Sequence, residues 1–200
     1  TRACLECHTE AGRQVRASIH WRWEYRHPQT GQLLGKQHVV NSFCNNVTTN
    51  LGRCTACHAG YGWDGPDFDF SDDSRVDCLV CHDTTGTYEK APKRGGRVLQ
   101  EPVKVHGHPL QPPDLGKVAR NVGPTSSETC GSCHFFGGGG NGSKHGDLDT
   151  SLLDPPPALD VHMSDAGAGL ECSDCHVERA HQIAGSRYQV TARDRKGTGA

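Results

Sequence analysis

Two cysteines two residues apart, followed at once by a histidine, occur five times: Cys4-Leu5-Glu6-Cys7-His8, Cys54-Thr55-Ala56-Cys57-His58, Cys78-Leu79-Val80-Cys81-His82, Cys130-Gly131-Ser132-Cys133-His134 and Cys172-Ser173-Asp174-Cys175-His176. Two thiols at this spacing reach the two vinyl groups of one porphyrin, while the next side chain, turned under the macrocycle, delivers an imidazole to the iron. The pattern is the attachment signature of c-type haem. Zinc ribbons also use CxxC pairs, and secreted disulfide scaffolds also use many cysteines. Neither requires a histidine after the second cysteine of every pair. The motifs take ten of the eleven cysteines and leave only Cys44. The cofactors expected are therefore five covalently bound haem c groups, with His8, His58, His82, His134 and His176 as proximal ligands.

The opposite face of each iron needs its own ligand or stays open for substrate. Eight histidines lie outside the motifs: His20, His27, His38, His106, His108, His145, His162 and His181. Histidine on both faces gives a low-spin, low-potential haem suited to passing electrons. The only methionine is Met163, which excludes a chain of methionine-ligated, high-potential haems. His20, His162 and His181 rank first as distal ligands because each neighbours an apolar or motif-bearing segment. His38, His108 and His145 are further candidates, and His106 and His108 share one short loop, so one of that pair is expected to bind. The alternative for each is a surface or propionate-binding role.

The elements that must position these groups are short. Only 34% of the chain is apolar, and it holds 25 glycines and 11 prolines, too little for a large protein-only core. The haems are expected to supply the rest, and the haem-free chain is not expected to fold. The fold class expected is mainly α and irregular: short helices and long loops packed around five haems, with little β. A helix is expected within 9–27, stopped by Pro28. Segments 59–76 and 84–113 read as surface loops. Asp114 caps a helix, and Ser126 or Ser127 starts another that carries the fourth motif. The glycines of 137–140 read as a loop near a haem face. Residues 1–185 form one pentahaem domain, and 186–200 a polar C-terminal arm or tail.

The formal charge is −2, but ionised propionates move the loaded protein to roughly −7 oxidised and −12 reduced. Nucleic acid is thereby disfavoured as a partner. No apolar run of about 18 residues occurs, so no transmembrane segment is expected. Haem attachment takes place beyond the cytoplasmic membrane, so the protein is expected to be periplasmic or extracellular, with any export signal removed or lying ahead of Thr1.

Several segments together resemble the octahaem tetrathionate reductase family of multihaem c-type cytochromes. They are Ala3-Cys4-Leu5-Glu6-Cys7-His8, Ser18-Ile19-His20-Trp21-Arg22-Trp23, Asn41-Ser42-Phe43-Cys44, Tyr61-Gly62-Trp63, the run from Asp77 to Tyr88, the run from Cys133 to Gly140, and Lys144-His145-Gly146-Asp147-Leu148-Asp149. The resemblance covers residues 3 to about 185 and corresponds to the N-terminal five-haem portion of that family. It implies that the haem at the second motif is held distally by a lysine, with a cysteine beside the substrate-binding face. Those roles fall on Lys144 and Cys44, with His58 as the proximal ligand. An amine ligates iron only when neutral, so binding must displace its proton. Without the resemblance, Lys144 would read as a solvated charge and Cys44 as a small buried apolar residue. Two departures are visible: the last three attachment motifs of the family are missing, and Asn141 stands where an acidic residue is expected.

Two functions follow. The first is electron transfer through five closely packed haems, with other cytochromes as donors and acceptors. Copies of the chain would associate head to tail, a contact that propagates as a filament unless it closes. The second is an oxidoreductase acting on tetrathionate, nitrite or hydroxylamine at a Lys144-ligated haem with Cys44 against substrate. A third reading makes the sequence the N-terminal part of a longer octahaem enzyme.

Overall fold

The computed structural model of the chain describes residues 1–38, 47–91, 93–105, 107–135, 140–144 and 146–185. Cys44, His106, His145, the glycines of 137–139 and the tail 186–200 lie outside the described residues.

The described residues form eight short helices: α1 (Arg2–Leu5), α2 (Ala11–Arg16), α3 (Ile19–Arg22), α4 (Leu51–Cys54), α5 (Leu79–His82), α6 (Leu115–Arg120), α7 (Ser127–His134) and α8 (Cys172–Cys175). Sheet is confined among them to three antiparallel hairpins: β1 (Tyr25–Arg26) with β2 (Leu33–Leu34), β3 (Val103–Val105) with β4 (His108–Leu110), and β5 (Glu178–Arg179) with β6 (Gln182–Ile183). The fold is thus mainly helical and irregular, as the composition requires. Every attachment motif begins on or beside a helix, and the second continues through a 3-10 turn at Thr55–Cys57. Residues at i, i+3 and i+4 share one helical face, so helical backbone groups both thiols and the imidazole.

The start signals at α6 and α7 act as expected. Asp114 accepts from the Lys117 amide at 2.9 Å at the head of α6. Ser126 and Thr129 form a reciprocal capping box at the head of α7, which satisfies two otherwise orphaned amides. α7 packs against α5, α8 and the turn at Thr55–Cys57, so the fourth motif touches the elements that carry the third, fifth and second.

Three expectations are corrected, the first being that 59–76 is a surface loop, since it buries Trp63, Phe68 and Val76 in the core. The segment 9–27 is not one helix. It breaks at Ser18, whose hydroxyl donates to the Val15 carbonyl at 2.7 Å, and α3 ends at Trp23 in the left-handed region (φ 51°), well before Pro28. Such a side-chain bond offers the backbone an alternative to continuing the helix. Nor is 84–113 merely a surface loop. It contains the β3–β4 hairpin, whose tight turn uses Gly107 at φ 86°, and it buries Lys90, Ala91 and Leu99.

Protein-only packing is concentrated in one place. Trp21, Trp23, Val47, Cys54, Trp63, Phe68 and Val76 form a buried cluster. Elsewhere large apolar side chains stand open: Leu148, Leu153, Leu159 and Val161 are 44–55% exposed.

Candidate functional site

Three motif histidines share one arrangement. His82 donates from Nδ1 to the Gly123 carbonyl at 2.8 Å, His134 to Gly146 at 2.7 Å and His176 to Ala184 at 2.9 Å. Each imidazole is thereby held through Nδ1, leaving Nε2 for another partner. A metal-ligating histidine is held in the same way, its second nitrogen donating to a carbonyl that fixes the ring.

Two of these rings face a second imidazole. His20 lies 6.2 Å from His134 between ring centroids, with planes at 82°, and His181 lies 6.4 Å from His82 at 76°. With a metal–nitrogen bond of about 2 Å and a ring half-width of about 1 Å on each side, two axial imidazoles stand about 6 Å apart. Both pairs fit an iron between them. Burial, and next the neighbouring His134, hold His20 down at about 4, so it is a neutral donor at pH 7. His181 sits at the tip of the β5–β6 hairpin, where Ala180 and His181 both adopt positive φ (50° and 62°). The hairpin is fastened to α2: His181 Nδ1 donates to Gln14 Oε1 at 2.9 Å, and Gln182 Nε2 donates to the Gln14 carbonyl at 2.8 Å. Strained backbone over-determined by such bonds is typical of positions that aim a functional side chain.

The attachment cysteines of different motifs meet. The Cys133 thiol bonds to Cys57 and holds it down at about 6, outweighing burial, with Lys36 and Lys90 adding to the effect. The Cys130 thiol does the same for Cys172, also down at about 6. Burial and the adjacent Cys4 push Cys78 up to about 11. The second motif therefore adjoins the fourth, the fourth the fifth, and the first the third. The ten described cysteines are all free thiols. Among the described residues no three His, Cys, Asp or Glu side chains converge as a metal cluster.

The second motif differs. His58 is fully buried, and its Nε2 donates to the Trp21 carbonyl at 2.6 Å, while Nδ1 has no hydrogen-bond partner. Its ring lies among Trp21, Trp23, Trp63, Phe68 and Phe70, at centroid distances of 4.8–6.2 Å. Gly60 permits this closeness, since a Cβ there would stand 2.4 Å from the Trp21 ring. The nitrogen that an axial ligand needs is engaged by backbone, so His58 does not fit the proximal role in this arrangement, although Cys54 and Cys57 precede it at the attachment spacing.

The remaining candidates are scattered. His8 and His176 are exposed. His162 is exposed and pairs with Asp160 at 3.4 Å, His38 pairs with Glu24 at 3.0 Å, and His108 is exposed on β4. None of these three faces a motif histidine among the described residues. Lys144 is half-buried, its amide donating to Asp147 Oδ2 at 2.8 Å. Asn141 Oδ1 accepts from the Thr150 amide at 3.2 Å, a loop-closing role. Cys44 and His145 lie outside the described residues.

Sequence reasoning missed a buried network beside the second and third motifs. Lys90 Nζ pairs with Asp77 Oδ2 at 3.2 Å and donates to the carbonyls of His58 and Gly60. Tyr88 donates to Asp77 Oδ2 at 2.8 Å. The bend that returns Tyr88 to Asp77 is built by Asp83, which accepts from the amides of Thr85, Thr87 and Tyr88 at 2.8–3.1 Å. The one available signal was the pair of aspartates flanking the third motif.

No protein-family model matches the chain. An uncharacterized protein of Archaeoglobus fulgidus is 24% identical over 239 aligned residues, covering 98% of this chain and 79% of its own. The crystal structure of an octahaem cytochrome c from Shewanella oneidensis matches with a TM-score of 0.77 at 44% identity, over 93% of this chain. The chain spans 39% of that protein's length.

Proposed function

We propose that this chain, which has the fold of a multihaem c-type cytochrome, carries electrons through five closely packed, covalently bound haems. Bound haem c supplies reversible one-electron chemistry at iron. What the chain supplies is spacing and ligation. The observation that carries the reading is the packing of α7, which bears the fourth motif, against the elements that carry the second, third and fifth, because adjoining motifs hold their porphyrins near one another. α7 adjoins the elements of three other motifs, which makes the fourth motif the junction of the relay. His20 opposite His134 and His181 opposite His82 are the proposed distal ligands, with the Nδ1 bonds fixing each motif imidazole. His162, His108, His38 and His145 remain candidates for the first and fifth sites.

The proposed partners are other cytochromes and further copies of the same chain, joined head to tail, in the periplasm or outside the cell. Residues 1–185 are the proposed pentahaem domain, with 186–200 as an arm. Among the described residues no helix is long and apolar enough to cross a membrane.

Intact mass and a pyridine haemochrome assay test the cofactor count, with five haems adding about 3 kDa. Electron redistribution after a reducing pulse is then expected to be independent of protein concentration. Redistribution that scales with concentration would mean that the haems within one chain are not wired together.

One observation favours a second reading, reduction of a small sulfur or nitrogen oxyanion or of hydroxylamine at the second motif. His58 Nε2 is engaged by the Trp21 carbonyl, which sets the second motif apart from the third, fourth and fifth, and the family resemblance puts a distal lysine at that motif. Lys144 would hold the iron there as a neutral amine, and Cys44 would meet the substrate. Turnover of tetrathionate, nitrite or hydroxylamine with reduced viologen, abolished in Lys144→Ala, supports this reading. Absence of turnover with all three leaves electron transfer alone.

A further inference from the structure

Lys90 and Asp77 form an ion pair taken out of water: their side chains are 5% and 3% exposed. Desolvating two charges is expensive, and well-packed apolar residues could hold two loops together at less cost. A pair kept in such a place therefore asks for a use of its charge. The pair is also fully satisfied. The three protons of Lys90 go to Asp77 and to the carbonyls of His58 and Gly60. Asp77 accepts from Lys90, from the Tyr88 hydroxyl at 2.8 Å, and through Oδ1 from the Val80 amide at 3.3 Å.

Its location gives that charge a target. Lys90 is anchored on the last residue of the second motif. Asp77 immediately precedes Cys78, and its bond to Val80 lies inside the third motif. The positive charge also reaches the sulfur atoms of Cys57, Cys81 and Cys133. One dipole is thus fixed in the wedge between three attachment motifs, with its positive end toward the second and its negative end toward the third. Fixed charges in a water-excluded site act strongly on neighbouring redox centres.

We propose that Lys90 and Asp77 are positioning residues that set the reduction potential of the haem at the third motif, lowering it because the negative end of the pair faces that motif. The proposal rests on haem attachment there. When one partner is removed the other keeps its remaining hydrogen bonds: Lys90 to two carbonyls, and Asp77 from the Tyr88 hydroxyl and the Val80 amide. Burial, followed by the Asp77 charge, pushes the Tyr88 phenol far up, so it stays a donor.

The test is spectropotentiometric titration of the loaded protein after haem counting by pyridine haemochrome. Lys90→Met leaves a buried negative charge, and a downward shift of the nearest midpoints is expected. Asp77→Asn leaves a buried positive charge, and an upward shift is expected. Lys90→Arg is expected to stay near wild type, and the double variant, which removes the dipole whose negative end faces the third motif, is expected to show a smaller upward shift than Asp77→Asn. A role in packing alone predicts no such opposition of sign. Midpoints that move together, or not at all, in variants with a full complement of haem would overturn the proposal. Should both buried variants lose haem, Tyr88→Phe decides: it uncovers the Asp77 charge without removing a side chain, so a downward shift supports the proposal and an unchanged titration refutes it. A wild-type protein without covalent haem would instead remove the premise, an outcome the haemochrome assay reports separately.

Discussion

The neighbourhoods of the second and fifth motifs obey different rules. Around the second, aromatic rings close on His58 and leave it with no exposed surface, and the turn is tied down by the Thr55 hydroxyl, whose one proton is shared between the carbonyls of Leu51 and Trp63 at 2.6 and 2.7 Å. Around the fifth, His176 is exposed, and the preceding segment leaves Leu153, Leu159 and Val161 more than half exposed. The first region has a core made of protein. The other leaves its apolar side chains uncovered by protein, and a porphyrin attached at the fifth motif would be the apolar body to cover them. A chain that is one-third apolar can afford one protein core, and it places that core beneath the motif whose histidine does not fit axial ligation.

The contrast breaks most sharply if attachment at the fifth motif is removed. In Cys172→Ala/Cys175→Ala the haem count is expected to fall by one. Amide exchange across 146–185 should rise towards that of an unfolded chain, while Ala59 and Asp77, bonded within the second-motif core, keep their protection. Unchanged protection in 146–185 would show that this segment holds itself together, and the contrast would be lost.

Single side chains sharpen it. Trp21 is fully buried and its indole donates to the Phe70 carbonyl at 3.0 Å, so Trp21→Ala is expected to cost about 3–5 kcal/mol in urea unfolding. Leu159→Ala, at a position 55% exposed to solvent, is expected to cost about 1–2 kcal/mol if a porphyrin covers it. A cost below about 0.5 kcal/mol would mean that Leu159 is simply solvated.

Much of this was legible in the sequence. The five motifs announce the cofactor, the scarcity of apolar residues announces short elements, and Asp114 and Ser126 announce the starts of α6 and α7. His20 and His181, ranked above the other histidines, each face a motif ring, whereas His162, ranked with them, stands in solvent beside Asp160. Its apolar neighbours Val161 and Met163 looked like a buried environment, and chain neighbours do not decide burial in a loop. Lys90 was invisible for the converse reason: it lies in a Pro- and Gly-rich stretch that reads as surface, and only the fold shows Asp77 and two carbonyls around it. The reversed His58 ring could not be read either, because the motif specifies a residue type and not which nitrogen the surroundings engage.

The ligand pairs separate by spectrum. His181→Ala is expected to turn one haem high-spin, with exogenous imidazole restoring the low-spin band, whereas His162→Ala should change the spectrum less. An unchanged spectrum in His181→Ala would remove His181 from the ligand set.

Acid should act first on the protein core. Burial, partly opposed by the bond to Trp21 and reinforced by Lys90, lowers His58 to about 3, against about 6.5 unfolded. Between these values the unfolded chain binds the extra proton. The contribution of neutral His58 is therefore complete above pH 6.5 and is lost progressively as pH falls towards 3. Urea midpoints that decline over this window in step with exchange protection at Ala59 are the expected result. A flat profile would mean that His58 is not buried as a neutral ring.

The smallest effect tests whether strain at the β5–β6 turn serves ligation. Ala180 and His181 both occupy the left-handed region in a two-residue turn, a conformation that suits Asn-Gly and costs other residues about 1 kcal/mol each. Glycine at 180 removes that cost without touching the imidazole, and the bonds from His181 and Gln182 to Gln14 still hold the hairpin on α2. Ala180→Gly is therefore expected to stabilise the protein by about 0.5–1 kcal/mol with the low-spin spectrum intact. A gain in stability accompanied by a high-spin component would show that the alanine is what keeps His181 aimed at His82. A loss of stability would show that the turn is not held in this conformation.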